Sequence, residues 1–317
     1  MRILLLGGTG FIGAPLAKRL AEHGHQVLVS TRREVPQHNV DWGSSIREAT
    51  WNGRDATTLI PLLEGADAVV NLLGESLAAG KWTPEEKRRI VDSRTQAGEA
   101  LSFALSFRKQ RGSCIPRTLI QASATGYYGL WSDAGTAPLC EEDAGPGTGF
   151  LADTVRAWEA STEVAERLGV RRCRIRTAPV LGPGGFVGRL FPSYRWFVGG
   201  VPGTGRQPLP WIHRIDEVEA IVFLLEHEET NGAYNLCSPE LTTMNAFCHA
   251  LGRAMRRPVW VPLPTPLLRA MFGDMADEVL LSGQRTVPAR LLDAGFTFGH
   301  ADLEAALRDA LDDMGRR

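Results

Sequence analysis

Three glycines near the start of the chain have the spacing of a phosphate-binding turn. The stretch GGTGFIG contains Gly7, Gly10 and Gly13, directly after an apolar run and at the opening of a helical pattern. The first glycine permits a tight turn, the second lets the backbone approach a pyrophosphate, and the third lets helix and strand pack closely. Backbone N–H groups at the helix start, near Phe11 and Ile12, attract phosphate charge. The pattern predicts a dinucleotide site.

The end of the second predicted strand distinguishes between the two nicotinamide dinucleotides. An NAD site would have an acidic side chain there, whereas the run VLVSTRR offers Thr31, Arg32 and Arg33. An arginine pairs with a 2′-phosphate that an aspartate would repel, so this run favours NADP(H). The alternative is that both arginines belong to a solvated turn.

The end of the fourth predicted strand should run beside the same cofactor. The run NLLG there includes Leu72, Leu73 and Gly74, followed by Glu75. Because parallel strands end at the same edge of a sheet, we expect the first three to contact the cofactor. Glu75 is a candidate on the substrate side.

Strands and helices that alternate along the chain must position these residues. Apolar runs such as RILLLGG, ADAVVNLLG and RTLIQASATG are separated by helical patterns, which predicts a doubly wound α/β fold, a Rossmann domain with a parallel sheet covered on both faces. We assign residues 1–180 to this domain and residues 181–317, rich in glycine, proline and aromatic residues, to a smaller C-terminal substrate-side lobe. Residues 211–236 are expected to return to the Rossmann domain.

The composition is that of an ordinary globular protein. The chain has 317 residues, a formal net charge of −1, 44% hydrophobic residues and 22% charged residues. Because this charge creates no basic field, we expect a small-molecule partner, no nucleic acid and no membrane. Five widely spaced cysteines indicate reduced packing residues, and we expect no metal site. Glycines interrupt the first apolar run, so we expect no signal peptide and a cytoplasmic location.

Several longer motifs carry a resemblance to a known family. SATGYYG after the fifth strand and WIHRIDEVEAI later in the chain resemble the extended short-chain dehydrogenase/reductases. More narrowly, NLLGES, GTGRQPLPWIH and SGQRTVPARLLDAGFTF are similar to an atypical epimerase-family branch, usually described as NADP-dependent oxidoreductases of unknown substrate. Members of the superfamily often dimerise through helices of the sheet domain, so a homodimer is an alternative to a monomer for this chain.

The resemblance implies catalytic groups that this chain lacks. Members of the superfamily use a tyrosine that moves a proton, a lysine four residues later, and a serine or threonine that orients the oxygen. In FLADTVRAWE, counting back from Glu159 puts Val155 at the lysine position and Leu151 at the tyrosine position. Counting back from the tyrosine–glycine pair of SATGYYG puts Ala124 at the serine position, with Ser123 one residue earlier.

Other residues near the nicotinamide could carry the chemistry instead. Ser123, Tyr127 and Tyr128 leave a strand beside the cofactor, although paired aromatics in a turn are as often packing residues. Arg94 on the preceding helix could orient an anionic substrate or replace the missing positive charge, or it could lie on the helix surface.

Further candidates belong to the substrate side. His213 has a free pKa suited to acid–base work, or it orders the loop before a helix capped by Asp216. The loops GGVPGTGRQ and SGQR supply Arg206 and Arg285, together with two glutamines, for an anionic or carbonyl-bearing molecule, with surface arginines as the alternative. Three tryptophans at positions 196, 211 and 260 add aromatic area to this lobe, although core packing explains most tryptophans.

Three functions are compatible with these features. The first is an NADP(H)-binding oxidoreductase or epimerase-type enzyme that acts on a small molecule through unusual catalytic groups. The second is a nucleotide-sugar epimerase or dehydratase that keeps its cofactor tightly bound. The third is a non-catalytic binding protein that responds to NADP(H).

Overall fold

The computed structural model describes residues 1–32, 42–77, 82–132, 139–141 and 144–315. Its strands are β1 (Arg2–Leu6), β2 (Gln26–Thr31), β3 (Ile46–Thr50), β4 (Ala68–Asn71), β5 (Thr118–Ala124), β6 (Arg171–Thr177), β7 (Val180–Leu181), β8 (Gly200–Pro202), β9 (Ile212–His213), β10 (Gly232–Leu236) and β11 (Val261–Leu263). Its α-helices are α1 (Gly13–Glu22), α2 (Ala56–Leu59), α3 (Pro84–Gln110), α4 (Phe150–Ala160), α5 (Val164–Arg167), α6 (Phe186–Arg195), α7 (Arg214–Glu226), α8 (Met244–Met255), α9 (Thr265–Phe272), α10 (Ala289–Asp293) and α11 (Leu303–Gly315).

The central sheet has seven strands in the order β10-β6-β5-β4-β1-β2-β3. Every neighbouring pair is parallel. The strand order reverses between β1 and β4, and in sheets of this kind ligands bind beyond the carboxyl ends of the strands at that point. The predicted doubly wound α/β fold is confirmed.

Both faces of the sheet are covered by helices, and β1 shows why its sequence is continuously apolar. Ile3 and Leu5 point into a core shared with α1 and α7, whereas Leu4 and Leu6 point into a second core shared with α2 and α3. Successive side chains of a strand point to opposite faces, so a strand buried on both sides needs apolar residues at every position.

The later part of the chain divides between the sheet and a separate core. Strand β10 joins the edge of the sheet beside β6, and α7 packs against α1. A third core lies around Trp211, which is fully buried, and receives residues from α6, α8 and α11. No helix in the described ranges has the length and apolar character needed to cross a bilayer.

Candidate functional site

A cleft of about 440 Å³ opens at the carboxyl ends of β1, β2 and β4. At its base Gly7 has a φ of +84°, and its carbonyl oxygen accepts a hydrogen bond of 3.0 Å from the Gly10 nitrogen. A Cβ atom on Gly13 would lie 2.2 Å from that same oxygen, so only glycine permits this approach of helix to turn. No side chain caps the start of α1; the Ala14 nitrogen donates to the Gly10 oxygen, so the N–H groups of Ile12 and Gly13 remain for a ligand.

Two arginines line one end of this cleft. Arg32 is exposed beside the buried Thr31 at the end of β2. The loop after β3 adds Arg54, whose backbone nitrogen donates a hydrogen bond of 2.9 Å to Asn52 Oδ1. Arg54 was not predicted as a site residue, because it belongs to a different loop from Arg32 and only the tertiary fold brings the two into one cleft. Arg33 lies outside the described residues.

The run after β4 forms the opposite wall of the cleft. Leu72, Leu73, Gly74 and Glu75 all line it. Glu75, expected on the substrate side, therefore lies in the same cleft as the glycine turn. Its carboxylate pairs with Arg89 at 3.3 Å. The side chains of the remaining two predicted contacts, Phe11 and Ile12, pack against the core beside α1, which leaves only their backbone groups at the helix start.

A second cavity of about 250 Å³ lies beside the ends of β5 and β6. Leu151 and Val155, at the positions where the superfamily has tyrosine and lysine, are both in its wall. Eight further apolar residues of the described ranges line it: Leu77, Ala124, Trp158, Ala178, Pro179, Leu209, Pro210 and Val279. The cavity therefore suits a small molecule with an apolar body.

Among the described residues that line this cavity, Arg94 is the one with a positively charged side chain. It is 8% exposed, and it donates hydrogen bonds of 2.9 Å to the backbone oxygens of Ile90 and Glu75. Its guanidinium carbon lies 5.1 Å from the Trp158 ring centroid. Burial lowers the pKa of Arg94 to about 10, with the Glu75 charge opposing. A guanidinium keeps its proton at neutral pH, so Arg94 can orient and stabilise negative charge there.

Five neutral polar side chains in the described part of the chain also line the cavity, those of Thr125, Thr154, Thr177, Ser282 and Gln284. Thr125 Oγ1 donates a hydrogen bond of 3.3 Å to Gln284 Oε1, and Gln284 Nε2 donates to the Gly129 oxygen at 2.9 Å. Thr125 was not predicted as a site residue, because counting back from the tyrosine–glycine pair pointed to Ala124 and Ser123 as the serine equivalents. Gln284 was predicted on the substrate side, and it does line the cavity.

Two of the four catalytic candidates belong to a buried hydrogen-bond network. Ser123 donates to Glu159 at 2.6 Å, Arg176 donates to Glu159 at 2.9 Å and to the Tyr128 hydroxyl at 3.0 Å, and Tyr128 donates to Asn235 at 2.8 Å. Burial would raise the pKa of Glu159, but Arg176 and Ser123 outweigh it and lower the pKa. Burial raises the pKa of Tyr128 to about 12 despite Arg176. These groups are held inside the protein, and neither Ser123 nor Tyr128 lines the cavity.

Tyr127 is held by the same network without lining the cavity. The guanidinium carbon of Arg176 lies 3.5 Å from the Tyr127 ring centroid. The two tyrosine rings meet edge to face at 5.4 Å, so the paired aromatics pack around a buried arginine. Of the four predicted catalytic residues, only Arg94 faces the cavity.

His213 is an N-cap, and the prediction that Asp216 caps the following helix is wrong. Helix α7 begins one residue after His213, whose Nδ1 accepts a hydrogen bond from the Ile215 nitrogen. Asp216 accepts hydrogen bonds of 2.9 Å from the nitrogens of Gly299 and His300 instead. Burial, followed by the charge of His300, lowers the pKa of His213 to about 4. A neutral imidazole accepts at the cap and cannot act as an acid at pH 7.

His213 also lies within ligand distance of His300 and Asp309. Its Nδ1 accepts from a backbone N–H, so the ring proton is on Nε2, which lies 3.3 Å from Asp309 Oδ2. A metal ligand would need Nε2 deprotonated and a proton on Nδ1 facing an acceptor. This tautomer of His213 therefore disfavours a metal ligand at that ring.

The other two predicted substrate-side arginines do not line the cavity. Arg206 is exposed, and Arg285 is half-buried beside Gln284. The neighbouring Gln207 is buried and donates to the backbone oxygens of Pro202 and Leu280. These loops therefore contribute one predicted side chain, that of Gln284, to the cavity.

Glu278 closes the cavity from the C-terminal part of the chain. Its carboxylate oxygens accept hydrogen bonds from the Phe150 nitrogen at 2.8 Å and the Leu151 nitrogen at 3.1 Å. Helix α4 has Gly149 as its N-cap and no local side-chain cap, so a carboxylate from a distant segment satisfies its first N–H groups and its positive end.

Comparison with known proteins agrees with this architecture. The NAD dependent epimerase/dehydratase family matches residues 3–237, and a domain of unknown function, DUF1731, matches residues 263–310. An epimerase family protein of Mycobacterium tuberculosis is 37% identical over 96% of this chain and 96% of its own length. The corresponding protein of Bacillus subtilis is 32% identical over 99% of both chains.

A solved structure gives a further comparison. The crystal structure of the human epimerase family protein SDR39U1 (isoform 2) with NADPH is 29% identical to this chain, covers 99% of it and 100% of its own length, and superposes with a TM-score of 0.85. Both the sheet and the segment that closes the cavity fall within that coverage. The chain belongs to the NAD dependent epimerase/dehydratase family.

Proposed function

We propose that this protein binds NADP(H) in the cleft between β1, β2 and β4. The glycine turn and the uncapped start of α1 fit a pyrophosphate, and Arg32 and Arg54 at one end fit a 2′-phosphate. The human relative crystallised with NADPH supports the same choice of cofactor. Bound there, the cofactor supplies hydride chemistry to the neighbouring cavity.

We further propose that the cavity holds the substrate of an oxidoreductase. The observation that carries this proposal is the position of Arg94, a buried cation in a largely apolar cavity. Arg94 also donates to the backbone oxygen of Glu75, which lines the cofactor cleft, so the guanidinium lies between the two spaces. This arrangement favours a small molecule with an apolar body and one carbonyl or carboxylate oxygen near Arg94.

The chain's own residues then act by binding and charge stabilisation. When hydride reaches a carbonyl carbon, the electron pair of the C=O bond moves to oxygen, and Arg94 stabilises that negative charge. Thr125 can donate a hydrogen bond to the same oxygen if it releases Gln284. Leu151 and Val155 have no proton to give, so the proton must reach that oxygen from solvent, directly or through a hydroxyl of the lining such as that of Thr125.

A non-catalytic NADP(H)-responsive protein is the second candidate. It is favoured by Leu151 and Val155, two apolar residues of the cavity wall that stand where the superfamily has its proton-transferring tyrosine and its lysine. The nucleotide-sugar alternative has less support, since among the described lining residues Arg94 is the one cation and Glu278 adds a carboxylate that would repel a diphosphate.

Fluorescence titration with NADPH and NADH tests the cofactor assignment. We expect wild type to prefer NADPH, and Arg32→Ala with Arg54→Ala to lose that preference, since each charge-assisted phosphate bond contributes about 1.5–3 kcal/mol. Arg88→Ala, an exposed arginine of α3 outside the cleft, is the control. Equal affinity for both nucleotides in wild type would contradict the assignment.

NADPH oxidation in the presence of aromatic aldehydes and α-keto acids tests the chemistry. We expect turnover of a compound in this panel by wild type, a smaller rate for Arg94→Lys, and loss for Arg94→Met with NADPH affinity retained. If wild type binds NADPH but oxidises it with none of these compounds, the non-catalytic candidate replaces the oxidoreductase.

A further inference from the structure

An exposed group of large apolar side chains lies on the C-terminal lobe. Trp196 is 77% exposed, Trp260 69%, Phe197 51% and Val198 50%. Core packing, the default explanation for tryptophans, applies to Trp211 but is wrong for Trp196 and Trp260. Together with three arginines, Arg195, Arg256 and Arg257, these four residues form what we call the aromatic–arginine patch.

The patch is held in place by contacts between two segments of the chain. Trp260 Nε1 donates a hydrogen bond of 3.0 Å to the Phe197 oxygen, and the guanidinium carbon of Arg257 lies 4.4 Å from the Phe197 ring centroid. Strands β8 and β11, which follow these segments, pair in parallel. The exposed rings therefore project from a fixed scaffold.

The backbone of the patch is strained at two positions. Among the described residues, Phe197 (φ +61°) and Arg256 (φ +55°) are the non-glycine residues with positive φ. Glycine would adopt this conformation at lower cost. Both residues follow the end of a helix, Phe197 after α6 and Arg256 after α8, where a left-handed residue commonly ends the helix; the two helix ends therefore fix where the side chains of the patch emerge.

The charge of the patch is positive. In the described ranges, Arg195, Arg256 and Arg257 form no ion pair, whereas the nearby Arg253 pairs with Glu304 at 2.5 Å. The net charge of −1, which argued against an anionic surface as partner, is an average over the chain and hides this local excess.

We propose that the aromatic–arginine patch docks onto an anionic lipid bilayer surface. Tryptophan rings with a polar N–H prefer the membrane interface, and arginines attract lipid phosphates. The four apolar side chains are at least half exposed, which suits insertion among lipid headgroups. A second copy of the chain fits poorly, because a two-fold contact through this patch would bring like charges together.

Vesicle co-sedimentation of the full chain tests the proposal. With vesicles of phosphatidylcholine and phosphatidylglycerol in equal amounts, we expect binding that weakens between about 50 and 300 mM salt, and little binding to phosphatidylcholine alone. Trp196→Ser should weaken partitioning about tenfold. Arg256→Gly should weaken it about fivefold while raising the melting temperature, because glycine relieves the positive φ and the loss of one arginine removes one phosphate contact.

Leu292→Ser, at a 46% exposed leucine outside the patch, is the matched control and should bind as wild type. Brominated lipid should quench tryptophan fluorescence in wild type and much less in the variant with both Trp196→Ser and Trp260→Ser. Absence of binding at 1 mM lipid, equal binding to neutral vesicles, or equal binding by all variants would each overturn the proposal. So would a concentration-dependent dimer that Trp196→Ser abolishes, which would assign the patch to self-association.

Discussion

Replacing Glu217 by glutamine should change how the stability of this protein depends on pH. Glu217 lies on α7 with no solvent exposure. Its Oε1 accepts a hydrogen bond of 2.7 Å from Thr177 Oγ1, and its Oε2 is buried without a hydrogen-bond partner. Burial raises the pKa of Glu217 to about 8, with the Thr177 hydrogen bond opposing.

The direction of this pH dependence follows from how many protons the folded and the unfolded protein bind. Between pH 4.5 and about 8 the folded protein keeps the Glu217 proton, whereas the unfolded chain releases it. The free energy of unfolding therefore falls as pH rises through this window. The interval between the two pKa values corresponds to an upper limit on the order of 5 kcal/mol, since one pKa unit corresponds to about 1.4 kcal/mol.

Glutamine has nearly the same shape as the protonated acid and does not titrate. We expect urea unfolding of Glu217→Gln and wild type to give a stability difference that grows in favour of the variant by about 3 kcal/mol between pH 5 and pH 8. A constant offset from the buried amide does not affect this slope. Glu229→Gln, at an exposed glutamate, should show no such trend. Parallel curves for Glu217→Gln and wild type would refute the reasoning.

Two further substitutions test other buried contacts. Glu159→Gln should reduce the free energy of unfolding by about 3–5 kcal/mol, because it leaves the Arg176 guanidinium buried without its counter-charge. Adding Arg176→Met should recover part of that loss. If chemical denaturation shows that the effects of the two substitutions are fully additive, the pairing of Glu159 with Arg176 is contradicted. Glu278→Ala should lower the free energy of unfolding by about 0.5–2 kcal/mol. It should also speed amide hydrogen exchange at Phe150 and Leu151, whose N–H groups lose their acceptor. Unchanged exchange at these two residues would argue against the capping role of Glu278.

The sequence predicted best the structural features that are decided by residues close together in the chain. Local spacing predicts the glycine turn at Gly7 to Gly13, and continuous apolar runs predict the doubly wound order of elements. The structure confirms this fold. The walls of the two cavities depend on contacts between distant segments instead. Arg54 and Glu278 carry no local signal of their positions, because each is brought to its site by a loop or segment whose conformation is decided by the tertiary fold.

The direction of side chains at the end of β5 explains why Ser123 and Tyr128 differ from expectation. Ser123 lies opposite Arg176 in the register of β5 with β6, and its hydroxyl points to Glu159 on the face covered by α4. The strand pattern placed Ser123 at the correct edge of the sheet. It could not show that a buried arginine on the next strand would organise both Ser123 and Tyr128 into an interior network.

The closing of the cavity by Glu278 and Gln284 has a consequence for the order of events during synthesis. The described residues that line the cofactor cleft all lie before residue 97, and the sheet is complete at Leu236. The cavity lacks part of its wall until residues 278–284 are made, which at about 5–20 residues per second means roughly 2–10 s later. During that interval a nascent chain can acquire its nucleotide while the apolar side chains of Leu151, Val155 and Trp158 still face water, so early nucleotide binding would stabilise the sheet before these side chains are covered.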